Sequence, residues 1–209
     1  MKEKADLWET RMDNLSQNDF VIMDDFLTAT TLSNVKSFFY KKECENVFDR
    51  AAIGSKNEAK IVSEIRGDYT FWLDKSRDEN ELKLFEVFDE IKFIINRYCF
   101  LSLSDYEFHL ALYPKGSFYK KHLDQFKGRN NRMISLIIYL NENWKDGDGG
   151  ELKVYPKEQA PIIISPLNNR CVLFRSDSLL HEVLPTNKNR KSVTGWMLYQ
   201  PSPLLSVTI

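Results

Sequence analysis

Residues 106–113 read YEFHLALY, and residues 133–140 read MISLIIYL. Each is a short run of aromatic, aliphatic and β-branched residues, a length and composition that suit a strand. They belong to a series. GELKVY (150–155), IIIS (162–165), CVLF (171–174), HEVL (181–184) and SVTGWMLY (192–199) follow, separated by the turn signals YPKG, DGDGG, SPLNN and TNKN. A parallel α/β fold would need helices between these strands, and no helical pattern lies there. Helices ahead of seven or more short strands predict an α+β fold. Its core is a jelly roll (a double-stranded β-helix), with the N-terminal helices packed on one sheet.

Upstream of residue 105 the pattern is helical and mixed. Residues 5–15 read as a short amphipathic helix, and FVIMDDFL (20–27) as a strand ending at a helix start. Thr28, Thr30 and Thr31 are candidate caps for a helix running to about residue 42. Residues 46–64 are polar and weakly patterned, which predicts a loop. RGDYTFWL (66–73) is strand-like. Leu84, Phe88, Ile91, Ile95 and Tyr98 recur at helical spacing and predict the clearest helix of the chain. The expected organisation is one domain over 1–209, with a support region at 1–104 and the jelly-roll core at 105–200.

Composition narrows the class. The chain has 209 residues with 43% hydrophobic and 28% charged side chains, enough for a full core and ordinary for a globular protein. A net charge of −1 gives no footprint for nucleic acid. The apolar runs are too short to span a membrane, and the charged N-terminus has no signal-peptide character. Cys44, Cys99 and Cys171 are odd in number and lack CxxC spacing, so they read as reduced thiols of a cytoplasmic protein.

The chemistry-bearing residues begin at His122 and Asp124. Two residues apart on an extended strand, their side chains share one face. His181 lies near the start of a later strand. Two imidazoles and a carboxylate on one face of an octahedron leave three positions open, the arrangement of non-haem Fe(II) oxygenases. An HxD pair alone is common, and a lone histidine is more often a core or surface residue. Arg190 changes the balance. Alone it would pass as a surface charge beside Lys188 and Lys191. With the pair and His181 it is the fork that would anchor the far carboxylate of a metal-chelating dicarboxylate. His109 mimics the pair with Glu107 and reads as a structural strand residue.

On these residues the sequence resembles the 2-oxoglutarate and Fe(II)-dependent dioxygenases. It is most similar to the prolyl 4-hydroxylase branch, in particular the oxygen-sensing prolyl hydroxylases and their bacterial relatives. The resemblance covers about residues 18–199. It is carried by His122, Asp124, His181 and Arg190 and by LYPKGSFYKKHLD, LIIYLN, GGELKVYP, HEVLP and VTGW, with VIMDDFL and IRGDYTFW upstream. It implies that His122, Asp124 and His181 bind Fe(II), and that Arg190 with the Tyr139 hydroxyl binds 2-oxoglutarate. It implies that Tyr113 lines the co-substrate pocket and that Thr194 and Trp196 stand beside it, although Trp196 reads equally well as core. Asp68 and Arg132 match a pair tying a loop to the strand rim, with a screened surface pair as the alternative reading. Arg66 and Trp72 would border a peptide groove. Phe118, Tyr119, Lys120, Lys121, Phe126 and Arg129 fit either a groove lining or a solvated rim.

The activity implied is hydroxylation of a prolyl residue in a protein or peptide, using O2 and releasing succinate and CO2, with ascorbate as a candidate reductant. A monomer is expected. The competing readings are an oxygenase of a free amino acid or other small molecule, a slow oxygen or 2-oxoglutarate sensor, and a metal-binding jelly roll without turnover. A zinc hydrolase gives no reason for Arg190. The sequence departs from the animal oxygen sensors in QFKGRNNRMISLII (125–138), one residue longer, and in the loop at 46–64, so the target identity transfers least.

Overall fold

The computed structural model describes residues 2–51, 65–125 and 130–199. The N-terminal half supplies α1 (Lys2–Asn18), β1 (Phe20–Met23), α2 (Ala29–Cys44), β2 (Asp49–Arg50), β3 (Tyr69–Trp72), α3 (Lys75–Asp78) and α4 (Leu84–Cys99). The strands that follow are β4 (Asp105–Tyr113), β5 (Tyr119–His122), β6 (Arg132–Tyr139), β7 (Leu152–Tyr155), β8 (Ile162–Ile164), β9 (Cys171–Arg175), β10 (Leu180–Val183) and β11 (Arg190–Leu198). They form a larger sheet in the order β1-β9-β6-β11-β4-β3-β2 and a smaller one in the order β5-β10-β7-β8. Every pairing is antiparallel. This is the jelly roll that the strand spacing predicts, with the helices on the outer face of the larger sheet.

Strand alternation sorts β11 between two cores. Val193 and Met197 face the helices, where they join Phe38, Leu84, Phe88, Ile91, Ile95, Leu110, Leu136 and Ile138. The alternate residues Arg190, Ser192, Thr194 and Trp196 therefore point between the sheets. There the second core holds Ala111, Tyr113, Ile137, Tyr139, Val154, Val172 and Phe174. Phe88 of α4 stacks on Phe108 of β4 at 3.8 Å between ring centroids. Gly195 leaves room for that stack, since a Cβ there would lie 2.3 Å from Phe108 Cδ1. Burying Phe88 alone stabilises the fold by about 1.5–3 kcal/mol.

Differences from the sequence expectation lie at the edges of elements. β1 stops at Met23 rather than near residue 27, because Asp25 takes a left-handed φ of 49° and turns the chain. Of the three threonines, Thr28 caps α2, its hydroxyl accepting from the Thr31 N–H at 3.2 Å. β1 and β3, from the N-terminal support region, join the larger sheet beside β9 and β4. Asp49–Arg50 is a short strand paired with β3, and the rest of the expected loop at 46–64 lies largely outside the described residues. Asn169 bridges the halves. Its side chain accepts from the Leu27 N–H at 2.8 Å and donates to the Leu27 carbonyl at 2.9 Å. No helix among the described residues is long and apolar enough to cross a membrane.

Candidate active site

β5 and β10 lie side by side in the smaller sheet, with His122 directly opposite His181. The imidazole centroids are 4.3 Å apart. Each ring is set by a backbone carbonyl. Nδ1 of His122 lies 2.7 Å from the Lys120 oxygen, and Nδ1 of His181 lies 3.0 Å from the Leu179 oxygen. Donating from Nδ1 leaves the Nε2 lone pair of each ring free to bind a metal. Both Nε2 atoms face Asp124, at 3.5 Å from its Oδ1 and 3.7 Å from its Oδ2. Ligand atoms of the three residues lie within 4.8 Å of one another.

Asp124 does not sit on the strand that the i, i+2 spacing predicts. β5 ends at His122, and Asp124 lies in a bend just past it. The chain is drawn from the smaller sheet toward the larger one: the Gln125 N–H donates to the Ser176 carbonyl at 3.1 Å. The Ser135 hydroxyl donates to Asp124 Oδ2 at 2.6 Å. Burial works against the charged form of Asp124, but His181, His122 and the Ser135 hydroxyl overcome it and hold its carboxyl well below the usual range. Burial likewise drives His181 down to about 4, against the pull of Asp124.

A second polar group is buried further along the same face. Arg190 opens β11, opposite Tyr113 of β4, and is 1% exposed. Its guanidinium lies 4.9 Å from the ring centres of both Tyr113 and Tyr139. Its Nε donates to the Gly150 carbonyl at 2.8 Å. No carboxylate among the described residues pairs with it, and the buried Tyr139 hydroxyl beside it has no partner beyond this guanidinium. A fully buried cation and its neighbouring hydroxyl on the metal-ligand side of the sheet make a receptor for an anion. Gly150 is part of this packing. It has φ 70°, and a Cβ there would stand 2.9 Å from Arg190 Cδ.

The 2OG-Fe(II) oxygenase superfamily model matches residues 108–198, which span the triad and Arg190. A prolyl-4-hydroxylase from Pseudomonas putida is 31% identical, with a TM-score of 0.84 over 93% of this chain and 100% of that one.

The chain belongs to the 2OG-Fe(II) oxygenase superfamily.

Two further relatives carry the same description of function. A prolyl hydroxylase from Trichoplax adhaerens, solved with a hypoxia-inducible factor oxygen degradation domain peptide, is 26% identical with a TM-score of 0.84, covering 94% of this chain and 91% of that one. A hypoxia-inducible factor prolyl hydroxylase of Caenorhabditis elegans is 30% identical over 88% of this chain, and the chain spans 27% of that relative's length. Superfamily membership brings Fe(II), 2-oxoglutarate and O2 as the site's reactants. The donor set fits: two neutral imidazoles and a carboxylate suit Fe(II), and the unpaired Arg190 with the Tyr139 hydroxyl suits a second carboxylate.

Around this oxygenase centre the rim differs from the sequence expectation. Asp68 and Arg132 are not a pair. The Arg66 guanidinium donates to Asp68, two residues along, through Nε at 2.7 Å and through a second nitrogen. Arg132 donates to Glu107 at 2.8 and 2.6 Å, and its guanidinium lies flat over Trp196 at 3.3 Å. Each arginine takes the carboxylate within its own reach. Arg66 covers Tyr119 at 4.5 Å, and Tyr119 stacks on His122 at 3.7 Å. Burial drives the Tyr119 hydroxyl up to about 12. Trp72 is 47% exposed and packs against His109. Lys120 and Lys121 are exposed, and Phe118 is half-buried. Phe126 and Arg129 lie outside the described residues. Ser135 went unnoticed in the sequence reading. Its signal was a lone serine in an apolar strand, in phase with Ile137 and Tyr139.

Proposed function

We propose that this chain hydroxylates a prolyl residue in a peptide or protein, with Fe(II) and 2-oxoglutarate. The observation that carries the proposal is Arg190, a fully buried guanidinium with no carboxylate partner among the described residues, on the face that also holds the imidazole–carboxylate cluster. His122 and His181 would hold the metal through Nε2, and Asp124 through a carboxylate oxygen. Arg190 and the Tyr139 hydroxyl would bind the C5 carboxylate of 2-oxoglutarate and fix its direction. Tyr113 would wall the pocket, and Thr194 and Trp196 would flank the metal end. With Fe(II), 2-oxoglutarate and O2 bound, the chemistry is insertion of one oxygen atom into a target C–H bond and of the other into succinate, with loss of CO2. The residues position, neutralise charge and exclude water. Phe174 helps in the last of these, lying edge-on to His181 at 4.7 Å.

A peptide target is supported by the relatives named as prolyl hydroxylases and by the rim. Trp72, Tyr119 and the Arg66–Asp68 pair leave one side of the centre edged by aromatic and charged groups, which suits an extended segment. The test is an anaerobic titration with Fe(II) and 2-oxoglutarate, watched for the visible charge-transfer band. Aerobic incubation with proline-containing peptides then follows, with mass detection of one added oxygen atom. A band lost in His181→Ala together with oxygen addition to proline is the expected result. A correctly folded protein with no band overturns the oxygenase reading. A band with oxygen placed only on small molecules overturns the prolyl target.

A further inference from the structure

His109 lies within strand β4, as the sequence reading has it, and one of its ring nitrogens is without a partner. It is 3% exposed, and its Nδ1 is buried with no hydrogen-bond partner. Trp196 Nε1 is in the same condition. His109 is paired across the sheet with Thr194, and Trp196 is the next residue on that face of β11. The two rings lie 5.7 Å apart. Trp72 closes the group from the solvent side, 4.8 Å from His109 and 6.2 Å from Trp196. Two neighbouring orphaned polar atoms in a native core call for a partner, whether water or ligand. A leucine or methionine at position 109 would fill the space without adding an unpaired nitrogen of its own.

The face is that of the active centre. His109 and Thr194 stand on the side of the larger sheet that carries Arg190, Ser192 and Trp196. The charges that His109 feels are those of the site and its rim: Arg66, Asp68, Arg132 and Asp124. Burial first, then Arg66 and Arg132, holds its imidazole down at about 3 against the opposing pull of Asp68 and Asp124. The ring is therefore neutral at ordinary pH. A neutral imidazole can donate from one nitrogen and accept at the other, and an indole N–H only donates. That combination suits a group that is both acceptor and donor without charge. A peptide amide is such a group, whereas a carboxylate or ammonium is not.

We propose that His109 and Trp196 form a hydrogen-bonding seat for a backbone amide of the target peptide, next to the metal centre and behind Trp72. The inference rests on the prolyl hydroxylase reading and adds the place where the target's main chain is gripped. His109 is here a positioning residue for the target. It has no part in holding the metal or 2-oxoglutarate.

The full chain is loaded with Zn(II) and 2-oxoglutarate, a diamagnetic, redox-inert form that binds target without turnover. It is titrated with a panel of blocked prolyl peptides, and binding is read from tryptophan fluorescence and from the ¹⁵N resonance of His109 Nδ1. The tightest peptide of the panel is then taken to the variants. His109→Leu is expected to weaken it about tenfold, the factor for one neutral hydrogen bond. His109→Asn, which keeps a polar atom near the Nδ1 position, is expected to restore most of that loss. Affinity for 2-oxoglutarate and its slow turnover without peptide stay within about twofold in both variants. Unchanged peptide affinity in a folded His109→Leu, or an Nδ1 resonance unmoved by saturating peptide, overturns the seat and assigns the orphaned atoms to water. A wild type that binds and decarboxylates 2-oxoglutarate but binds no prolyl peptide overturns the seat together with the prolyl target. A wild type that does not bind 2-oxoglutarate overturns the oxygenase reading itself.

Discussion

The Ser135 hydroxyl reaches Asp124 Oδ2 at 2.6 Å from a strand of the opposite sheet, and lies 2.8 Å from the Ser176 hydroxyl. Asp124 sits past the end of its own strand, so this bond does the orienting that strand pleat does not. Ser135→Ala should lower Fe(II) affinity about 10–100-fold, the usual effect of losing a group that orients a metal ligand. Ser135→Thr should retain most of it. Metal titration read by the charge-transfer band decides between them, and equal affinities would show that Asp124 is held by the backbone alone.

Gly150 should not tolerate a side chain. At φ 70° an alanine is strained, and its Cβ would press on Arg190 Cδ and Thr186. Gly150→Ala is expected to lose about 1–3 kcal/mol of stability and to raise the KM for 2-oxoglutarate more than it lowers kcat. A variant with normal KM would mean that Arg190 moves aside without losing its aim.

Arg190→Met should abolish 2-oxoglutarate binding while leaving the protein without co-substrate as stable as wild type, or more so. The guanidinium is buried with the Gly150 carbonyl as its backbone acceptor, and replacing a buried charge with an apolar chain of similar volume is often neutral or stabilising. Tyr139→Phe removes one hydroxyl that has no internal partner beyond Arg190, so its cost should fall on co-substrate affinity, about tenfold, rather than on folding. Thermal melts with and without 2-oxoglutarate measure both effects.

Acid should destabilise the metal-free protein before the carboxylates titrate. His109 and His181 are held at about 3 and about 4 in the folded chain, against 6.5 when exposed. Between those limits the unfolded chain binds more protons than the folded one, so stability falls as the pH drops from 6.5 toward 4. Each group contributes up to about 1.4 kcal/mol per pH unit. His109→Asn should flatten this dependence by about one proton, a slope accessible from urea midpoints measured across the range.

The sequence carried the plan of the fold because the plan is periodic. Val193 and Met197 alternate with Ser192, Thr194 and Trp196, and Leu84, Phe88, Ile91 and Ile95 recur at helical spacing, so the core faces of β11 and α4 could be read directly. The triad and Arg190 were legible for a related reason: their residue types are rare in such runs and their chemistry is specific. Side-chain partners were not. Whether Arg132 reaches Asp68 or Glu107 depends on distances between strands that no local pattern encodes. The bonding state of His109 was not legible either, because a histidine in an apolar strand looks the same whether its nitrogens are satisfied or not. Only the packed neighbours Trp72, Thr194 and Trp196 show that its Nδ1 is orphaned.

In its proposed role, the buried Arg190, without a carboxylate partner among the described residues, would also tie the life of the protein to the supply of 2-oxoglutarate. A ligand that neutralises this charge binds only the folded chain, and at a concentration 100 times its Kd it adds about 2.7 kcal/mol to stability. That is a hundredfold fall in the unfolded fraction on which proteases act. In a cell starved of 2-oxoglutarate the chain would be degraded faster as well as working more slowly, so its abundance would follow the metabolite without any separate regulator.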